Sequence, residues 1–450
     1  MTITLHPSCE KAGRTGAWSI TRVVLGSLIV GAASALGLTM VVFPGATEAV
    51  VTGSLLFGFG VGWGALAVVS ARKTGRPQRW ARVPAVAMST TGTGLVVLSP
   101  GHSSLSALNW VWPPLMLALV AWMFVQARRA LPPRARLLLT PVFLTLAAVA
   151  VGALAQDITS PQVGDDHPAP GRTFAVGDHR LHIDCRGAGG PTVVLFNGMG
   201  EFSASWARIT DQVSETTRVC AYDRAGQGWS DDADEPQDGA TAAADLHRLL
   251  AAAGEHGPYV LVGHSMGGPY ALTYTAQYPE DVAGMVLLDS SSPRQFADMP
   301  AYPLQYAAMK RGQSLLPTLA RIGLGPVVGS SSHLPGAQGD LVEAMSSTVR
   351  AQRYGRDELS MVPRILEQSQ SLRTLDDRPL VVLTASENLS TEGWPAAQDR
   401  LAALSNDSVH RDVPSSHAGM VDDPNGSDAS AAAITAVTRS VSTHSPVSAS

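Results

Sequence analysis

Five long apolar runs in the first third of the chain restrict its fold more than any other feature. None of them contains Asp, Glu, Lys or Arg, and they occupy residues 23–43, 49–70, 83–100, 104–126 and 137–156. Each run has roughly 17 to 23 residues, the length that a helix needs to cross the hydrocarbon core of a bilayer. Buried helices of a water-soluble bundle would each show a polar face, and these runs show none. The sequence therefore predicts a transmembrane region of about five helices over residues 1–156.

Basic residues alternate from loop to loop along this region. They precede the first run and cluster in two of the four loops, between the second and third runs and between the fourth and fifth, at Lys11, Arg14, Arg22, Arg72, Lys73, Arg76, Arg79, Arg82, Arg128, Arg129, Arg134 and Arg136. Because basic loops stay on the cytoplasmic side, we expect a multi-pass cell-membrane protein with a cytoplasmic N-terminus and with residues after 157 extracytoplasmic. The third run, diluted by polar residues at 89–93, is the weakest, and without it the orientation would reverse.

No Asp, Glu, His, Lys or Arg lies within the five runs. Proton relays and ion-coupled transporters usually place such groups at membrane depth, so we interpret the region as an anchor in the lipid bilayer and not as a transporter. Glycines at 58, 60, 62 and 64 permit close helix packing in the second run. Glycine is also common in membrane helices generally. The sequence does not decide between a packing role for these glycines and this general abundance.

The composition of the whole chain argues against several classes of function. A net charge of −5 and a pI near 6.2 give no electrostatic basis for binding nucleic acid. Cys9, Cys185 and Cys220 are too few for a disulfide-rich scaffold, and their spacing does not suggest zinc. We therefore expect no nucleic-acid partner, no metal and no cofactor, while the oligomeric state stays open. A chain of 450 residues is long enough to hold a second domain beyond the membrane region.

After a polar, proline-containing linker predicted at 157–172, short apolar strands alternate with helices. Strands are predicted near 191–196, 217–222, 259–262, 282–288, 380–384 and 408–413, after a hairpin over 173–185. Alternation of apolar strands and helices is typical of a mostly parallel sheet that helices cover on both faces. We expect this α/β domain to span residues 173–442 and a disordered Ser-rich tail to follow at 443–450.

The pentapeptide Gly263-His264-Ser265-Met266-Gly267 lies between a predicted buried strand and a predicted helix. Its glycines permit a turn so sharp that side chains would clash there, and the turn lifts the Ser265 hydroxyl clear of the sheet. Two further motifs precede it, Asn197-Gly198-Met199-Gly200 and Asp223-Arg224-Ala225-Gly226-Gln227-Gly228-Trp229-Ser230-Asp231. In this order the three motifs resemble the α/β-hydrolase superfamily of esterases, lipases and C–C hydrolases. The resemblance covers residues 173–442 and leaves the five-span region outside it.

The resemblance implies a nucleophile, a base and an oxyanion hole. Ser265 would be the nucleophile, and His417, in a loop just past the last strand, would be the base that activates it. The backbone N–H groups of Met199 and Met266 would stabilise the developing oxyanion. Asn197 stands where most relatives have His and is expected to brace the same loop. His264 and His410 are interpreted as structural.

The acid that would complete the triad stays open between two candidates. The family's usual position, in the loop after the strand at 380–384, is held here by Asn388, which cannot carry a negative charge. Asp289 ends the preceding strand, a position that some relatives use, and Glu387 lies one residue before Asn388. Asp289 is the favoured candidate.

The resemblance also implies a disulfide and a cap. Cys185 and Cys220 would lie on neighbouring strands, so we expect a disulfide between them if the domain is extracytoplasmic, whereas Cys9 would be cytoplasmic and reduced. A cap is expected at 292–376. Its aromatic and methionine residues could line an apolar acyl pocket, but we expect them by default to form the cap's own core. They are Phe296, Met299, Tyr302, Tyr306 and Met309. Asp223, Arg224, Trp206 and Trp229 are interpreted as structural.

The function that follows is a membrane-anchored serine hydrolase that cleaves a carboxylic ester or thioester through an acyl-enzyme. Its substrate would be a small-molecule or lipid ester of unspecified chain length. An acyltransferase with the same triad is a close alternative, because only the second nucleophile differs. A non-catalytic receptor or scaffold with this fold is the alternative from another class, and the ambiguous acid is its only support.

Overall fold

The computed structural model describes residues 18–166 and 168–447, with the backbone alone for 159–166. Two compact units divide the chain, Met1–Leu154 and Ala155–Ser450. The predicted cytoplasmic Cys9 lies outside the described residues.

All the regular secondary structure described in the first unit is helical. It consists of α1 (Ile20–Gly37), α2 (Glu48–Lys73), α3 (Arg82–Leu98), α4 (His102–Asn109), α5 (Trp112–Ala130) and most of α6 (Pro133–Asp166), which continues beyond Leu154. A π-helical turn over Leu38–Val42 extends α1, and a 3₁₀ turn over Arg79–Ala81 precedes α3. By length and composition, four segments could cross a membrane: Ile20–Val42, Glu48–Lys73, Arg79–Leu98 and Pro133–Ile158.

The fourth apolar run, predicted as one helix, is broken. α4 and α5 meet at an angle of 50°, and only as a pair do they qualify as a fifth span. The break comes just before Pro113 and Pro114, which occupy the first turn of α5. Proline lacks the N–H that a continuing helix needs, but it is well accommodated where a helix begins. The third run, the weakest by sequence, forms an uninterrupted helix.

One of the glycines in α2 lies at a close helix crossing. A Cβ atom added at Gly58 would overlap the backbone of Ala35 in α1. A larger residue would therefore separate the two helices. At this position the glycine is required for close helix packing and is not explained by the general abundance of glycine in membrane helices.

Helix α6 continues to Asp166 through most of the segment that was predicted as a linker. A helix that has formed gains a hydrogen bond with each added residue, so it can extend into polar sequence. The first strand of the second unit begins at Arg172, one residue before the predicted start of the domain.

The second unit is built on an eight-stranded sheet. The strands are β1 (Arg172–Val176), β2 (His179–Arg186), β3 (Val193–Phe196), β4 (Val219–Tyr222), β5 (Tyr259–His264), β6 (Val282–Leu288), β7 (Leu380–Ala385) and β8 (Ser408–Val413). Their order is β1-β2-β4-β3-β5-β6-β7-β8. The hairpin β1–β2 joins β4 antiparallel, and every later pairing is parallel. The predicted mostly parallel α/β sheet is confirmed.

Helices cover both faces of this sheet. They are α7 (Ala207–Val213), α8 (Gly239–Ala253), α9 (Gly267–Gln277), α10 (Gln295–Asp298), α11 (Tyr302–Gln313), α12 (Leu316–Leu319), α13 (Gly325–Val328), α14 (Ala337–Ser346), α15 (Val349–Ser369), α16 (Trp394–Ala402), α17 (Gly419–Asp422) and α18 (Pro424–Thr443). Short non-α turns span Ser203–Trp206, Pro279–Asp281, Ala320–Leu324 and Ser386–Asn388. Apolar residues of α8, α9 and α15 pack on one face and those of α7 and α18 on the other. The two apolar layers hold the strand ends in fixed positions.

Helices α10 to α15 form the insertion between β6 and β7 where a cap was expected. Helices α14 and α15 are separate, because the side chain of Thr348 accepts a hydrogen bond from the N–H of Ala351 and starts α15. Phe296 contacts Tyr302 and Tyr306 edge to face, with ring centroids 4.9 and 5.2 Å apart. These aromatic residues pack against one another within the cap.

The described structure continues past residue 443, where a disordered tail was predicted to begin. α18 ends at Thr443, and the backbone N–H of Val447 donates to the Asp407 carboxylate at 3.0 Å. The side chain of Val447 is buried. Apolar burial and a charge-assisted hydrogen bond thus order the chain as far as residue 447.

Candidate active site

The turn between β5 and α9 holds Ser265 in a left-handed backbone conformation, with φ of 52°. Residues other than glycine rarely adopt this conformation, and it occurs where the surrounding structure imposes it. Gly267 follows at the start of α9, and a Cβ atom added there would overlap the carbonyl oxygen of Phe196 at the end of β3. The close approach of these backbones requires glycine and leaves the Ser265 hydroxyl facing a cavity.

A chain of hydrogen bonds runs from Ser265 through His417 to Asp289. The Ser265 Oγ lies 2.9 Å from His417 Nε2, and His417 Nδ1 lies 2.6 Å from Asp289 Oδ2. Because a carboxylate only accepts, Nδ1 carries the proton and Nε2 is free to accept the serine hydroxyl. The Asp289 side chain is fully buried, while that of His417 is 34% exposed. A buried carboxylate thus holds a partly exposed imidazole ring.

The Asp289 carboxylate collects four hydrogen bonds. Besides His417, it accepts from Asn388 Nδ2 at 2.6 Å, Trp394 Nε1 at 2.8 Å and the backbone N–H of Ala385 at 3.2 Å. Burial raises the pKa of this carboxyl, but the hydrogen bond and charge of His417 and the Trp394 and Asn388 donors outweigh burial. The net pKa of Asp289 is lowered from its usual value, so the carboxylate is ionised at neutral pH.

The two acids left open by the sequence occupy different places. Asp289 faces the imidazole ring, whereas Glu387 Oε2 accepts the backbone N–H of His417 at 2.7 Å. Glu387 therefore fixes the loop that carries the base, without contact to the ring nitrogens. Asn388, at the family's usual position for the acid, donates to Asp289.

The loop after β3 brings a second backbone segment close to Ser265. A Cβ atom added at Gly198 would lie 3.1 Å from the Cβ of Ser265, and Met199 lines the cavity beside it. Within the described part of the chain, the backbone N–H groups of Met199 and Met266 have no hydrogen-bond acceptor. Both remain available to a substrate oxygen.

Asn197 braces this loop with its side chain. Its Nδ2 donates to the carbonyl oxygen of Tyr222 at 2.7 Å, and its Oδ1 accepts from Trp206 Nε1 at 2.8 Å. Arg224 donates to the Asn197 carbonyl at 2.8 Å. The amide makes the bracing contacts that were expected of it in place of the family's histidine.

Arg224 also ties the loop to the cap. Its guanidinium pairs with Glu358 of α15 at 2.5 Å and donates to the Tyr354 hydroxyl at 3.0 Å, and both members of the ion pair are buried. Asp223 accepts from the backbone N–H of Ser203 at 2.6 Å and contacts His182 Nδ1 at 2.9 Å. Neither Asp223 nor Arg224 lines the cavity at Ser265.

A second histidine–carboxylate pair lies beside the triad, and sequence analysis missed its acid. Glu201 Oε1 lies 2.5 Å from His264 Nδ1, and Glu201 Oε2 accepts the N–H of Gly198 at 2.6 Å. His264 Nε2 donates to the carbonyl oxygen of His417 at 2.9 Å. The pair therefore connects the oxyanion loop, the turn at Ser265 and the loop of the base. Glu201 and His264 are 63 residues apart, so no local pattern could have joined them.

Both nitrogens of the His264 ring face oxygen acceptors, an arrangement that favours the protonated ring. Burial lowers the pKa of His264, but the charge and hydrogen bond of Glu201 and the His417 carbonyl raise it above its usual value. Burial raises the pKa of Glu201, yet His264 and the Gly198 N–H leave it lowered overall. Both pKa directions favour the charged form of the pair.

The cavity beside Ser265 has a volume of about 160 Å³. Its walls include Met199, Glu201, Val342 and three consecutive serines, Ser330, Ser331 and Ser332. The aromatic residues of the cap are not among them. The cavity is therefore small, and its polar groups lie among mainly apolar surface.

Cys185 and Cys220 form a disulfide between β2 and β4. They are directly opposite each other in the antiparallel register.

Sheet order, cap position and the turn at Ser265 are together those of an α/β-hydrolase. A family model described as the alpha/beta hydrolase fold matches residues 191–322. The second unit of this chain belongs to the α/β-hydrolase superfamily.

Its relatives include proteins with and without an assigned activity. An uncharacterised protein of Schizosaccharomyces pombe is 26% identical over 286 residues, 54% of this chain and 51% of that protein. The 2-(acetamidomethylene)succinate hydrolase of Mesorhizobium japonicum is 26% identical over 259 residues, 50% of this chain and 90% of that protein. The solved esterase of Thermogutta terrifontis is 19% identical, with a TM-score of 0.46 over 60% of this chain and 97% of its own. The chain thus spans about half the length of the first relative.

Proposed function

We propose that this chain is a membrane-anchored serine hydrolase that cleaves a carboxylic ester or thioester bond through an acyl-enzyme. The observation that carries the proposal is the unbroken hydrogen-bonded series from Ser265 Oγ to His417 and Asp289. The name of the Mesorhizobium japonicum relative, a hydrolase, is consistent with this class of reaction.

In the first half of the reaction, Ser265 Oγ attacks the carbonyl carbon of the substrate while His417 Nε2 takes the serine proton. Asp289 holds the opposite ring nitrogen and stabilises the imidazolium that forms. The carbonyl oxygen becomes an oxyanion and accepts hydrogen bonds from the N–H groups of Met199 and Met266, each worth about 3 kcal/mol to the transition state. The intermediate then collapses, and Nε2 returns its proton to the leaving alcohol or thiol.

In the second half, water releases the acyl group. His417 Nε2 takes a proton from the water as its oxygen attacks the acyl carbon, and the proton then passes to Ser265 Oγ as the ester bond to the enzyme breaks. The same donors stabilise the second oxyanion. Serine and histidine return to their starting protonation states, so the cycle is balanced.

The proposed location is a cell membrane, with the hydrolase unit on its extracytoplasmic side. Support comes from the four to five apolar helices of the first unit and from the alternation of basic loops. The disulfide in the hydrolase unit is compatible with an oxidising compartment. Protease accessibility in spheroplasts tests the orientation, because an intracellular hydrolase unit would stay protected.

A fluorophosphonate probe, which reacts with activated serines, tests the chemistry. We expect full-length protein in detergent to be labelled, and the variant Ser265→Ala to lose the label. Ser290→Ala is a matched control, since Ser290 is a buried serine that donates to the Gly263 carbonyl and does not line the cavity. Wild-type protein that folds but takes no label would overturn the proposed function.

A further inference from the structure

A groove at one end of the first unit lies between α5 and α6 and has a volume of about 270 Å³. It is lined by Phe124, Ala127, Arg128, Pro133, Arg136, Leu137, Thr140 and Phe143. Two cations therefore share a groove with a mainly apolar wall.

The lining residues are ordered along the helices from charged to apolar. Arg136, Thr140 and Phe143 lie on one face of α6, and they span roughly 10 Å along its axis at 1.5 Å per residue. On α5, Phe124 lies one turn before Arg128, whose guanidinium is 5.6 Å from the centre of the Phe124 ring. Phe124 and Phe143 meet edge to face, with centroids 6.2 Å apart. The groove is thus cationic at its mouth and aromatic one to two turns further along.

No described residue of the first unit neutralises the charge at the mouth. Among the described residues, neither Arg128 nor Arg136 forms an ion pair. Glu48 is the sole acidic residue in the sequence from 18 to 156. A guanidinium is well suited to a phosphate, which it can bind through two parallel hydrogen bonds.

We propose that this groove binds an anionic phospholipid, with the headgroup phosphate between Arg128 and Arg136 and an acyl chain along the aromatic wall. The order of charge, hydroxyl and apolar surface matches the order of phosphate, ester and chain in such a lipid. A basic loop at the end of apolar helices is also where lipid phosphates lie. The inference rests on the membrane location in the proposed function, but not on its chemistry.

The test is lipid titration of the purified full-length protein, followed by native mass spectrometry. The double variant Arg128→Gln/Arg136→Gln removes both cations from the groove. Arg129→Gln/Arg134→Gln is the matched control, because these two exposed arginines belong to the same helix ends, do not line the groove and change the net charge equally. The probes are phosphatidylglycerol, phosphatidylcholine and water-soluble glycerol phosphate.

We expect the wild type to retain phosphatidylglycerol in preference to phosphatidylcholine. The groove variant should lose on the order of 30-fold in phosphatidylglycerol affinity. Each arginine near a membrane surface contributes about fivefold, and the two contributions multiply. The control variant should bind like wild type. Equal losses in both variants, no preference in the wild type, or competition by glycerol phosphate at equal concentration would each overturn the proposal.

Two further measurements separate this proposal from the proposed function. Fluorophosphonate labelling of Ser265 in the groove variant should equal that of wild type, which shows that the hydrolase unit of the variant folds. Resistance of the protein to carbonate extraction from membranes tests the membrane location by itself. A protein that resists extraction and takes the label, yet binds no lipid at the groove, would refute this inference alone.

Discussion

Replacing Asp289 by Asn should separate the role of this acid from that of Glu387. The Asp289 carboxylate accepts four hydrogen bonds, and an amide at the same place has one oxygen and one NH₂. In either orientation of the introduced side-chain amide, its NH₂ group would point at N–H donors that the carboxylate now accepts, and those donors would lose their acceptor. If the NH₂ faces His417, the ring must adopt the other tautomer, and Nε2 can no longer accept the Ser265 proton.

The expected loss in kcat/KM for Asp289→Asn is about 10⁴-fold, the magnitude typical of a triad with the wrong histidine tautomer. At about 1.36 kcal/mol per tenfold, this is ~5 kcal/mol of transition-state stabilisation. The unmatched donors should also lower the free energy of unfolding by about 1–3 kcal/mol. Ester hydrolysis by protein in nanodiscs measures the first quantity, and urea unfolding measures the second.

Two companion variants sharpen the test. Glu387→Gln keeps an oxygen that can accept the His417 N–H, so its activity should fall less than about tenfold. The exchange Asp289→Asn/Asn388→Asp places a carboxylate at position 388, where Asn388 Nδ2 now lies 2.6 Å from Asp289 Oδ2. It should recover at least part of the lost activity. A large loss in Glu387→Gln together with an active Asp289→Asn would refute the assignment and transfer the role to Glu387.

Three further outcomes follow from the structure. Glu201→Gln should lower kcat more than it raises KM, and it should lower the melting temperature at neutral pH. That deficit should vanish as pH falls through the lowered Glu201 pKa or rises through the raised His264 pKa, because the pair is charged only between them; a deficit independent of pH would contradict the charged pair. Gly267→Ala should cost about 3 kcal/mol of stability, the upper end for overpacking, since its Cβ would overlap the Phe196 carbonyl, and an unchanged urea midpoint would contradict the close approach. Cys185→Ser opens a loop of 35 residues and should cost about 4 kcal/mol; equal stability with and without reductant in wild type would show that the bond is absent.

The division of the chain and the class of each part could be predicted from the sequence. Apolar runs of membrane length and buried strands that alternate with helices are local patterns, and local patterns determine which elements form. The turn at Ser265 was also predictable, because its glycines and the strand and helix around it are neighbours in the chain. The break in the fourth apolar run was missed, although Pro113 and Pro114 marked it.

Contacts between distant residues could not be predicted in the same way. The choice between Asp289 and Glu387 depended on which carboxylate faces His417, more than 100 residues from Asp289, and the answer lies in the alignment of β6 with β7. The Glu201–His264 pair has the same origin. Sequence patterns record the spacing of residues along the chain, so they determined the elements, the candidate nucleophile and the candidate base. Only the packing of the sheet decided which buried charges meet, because those distances are set by strand order and register.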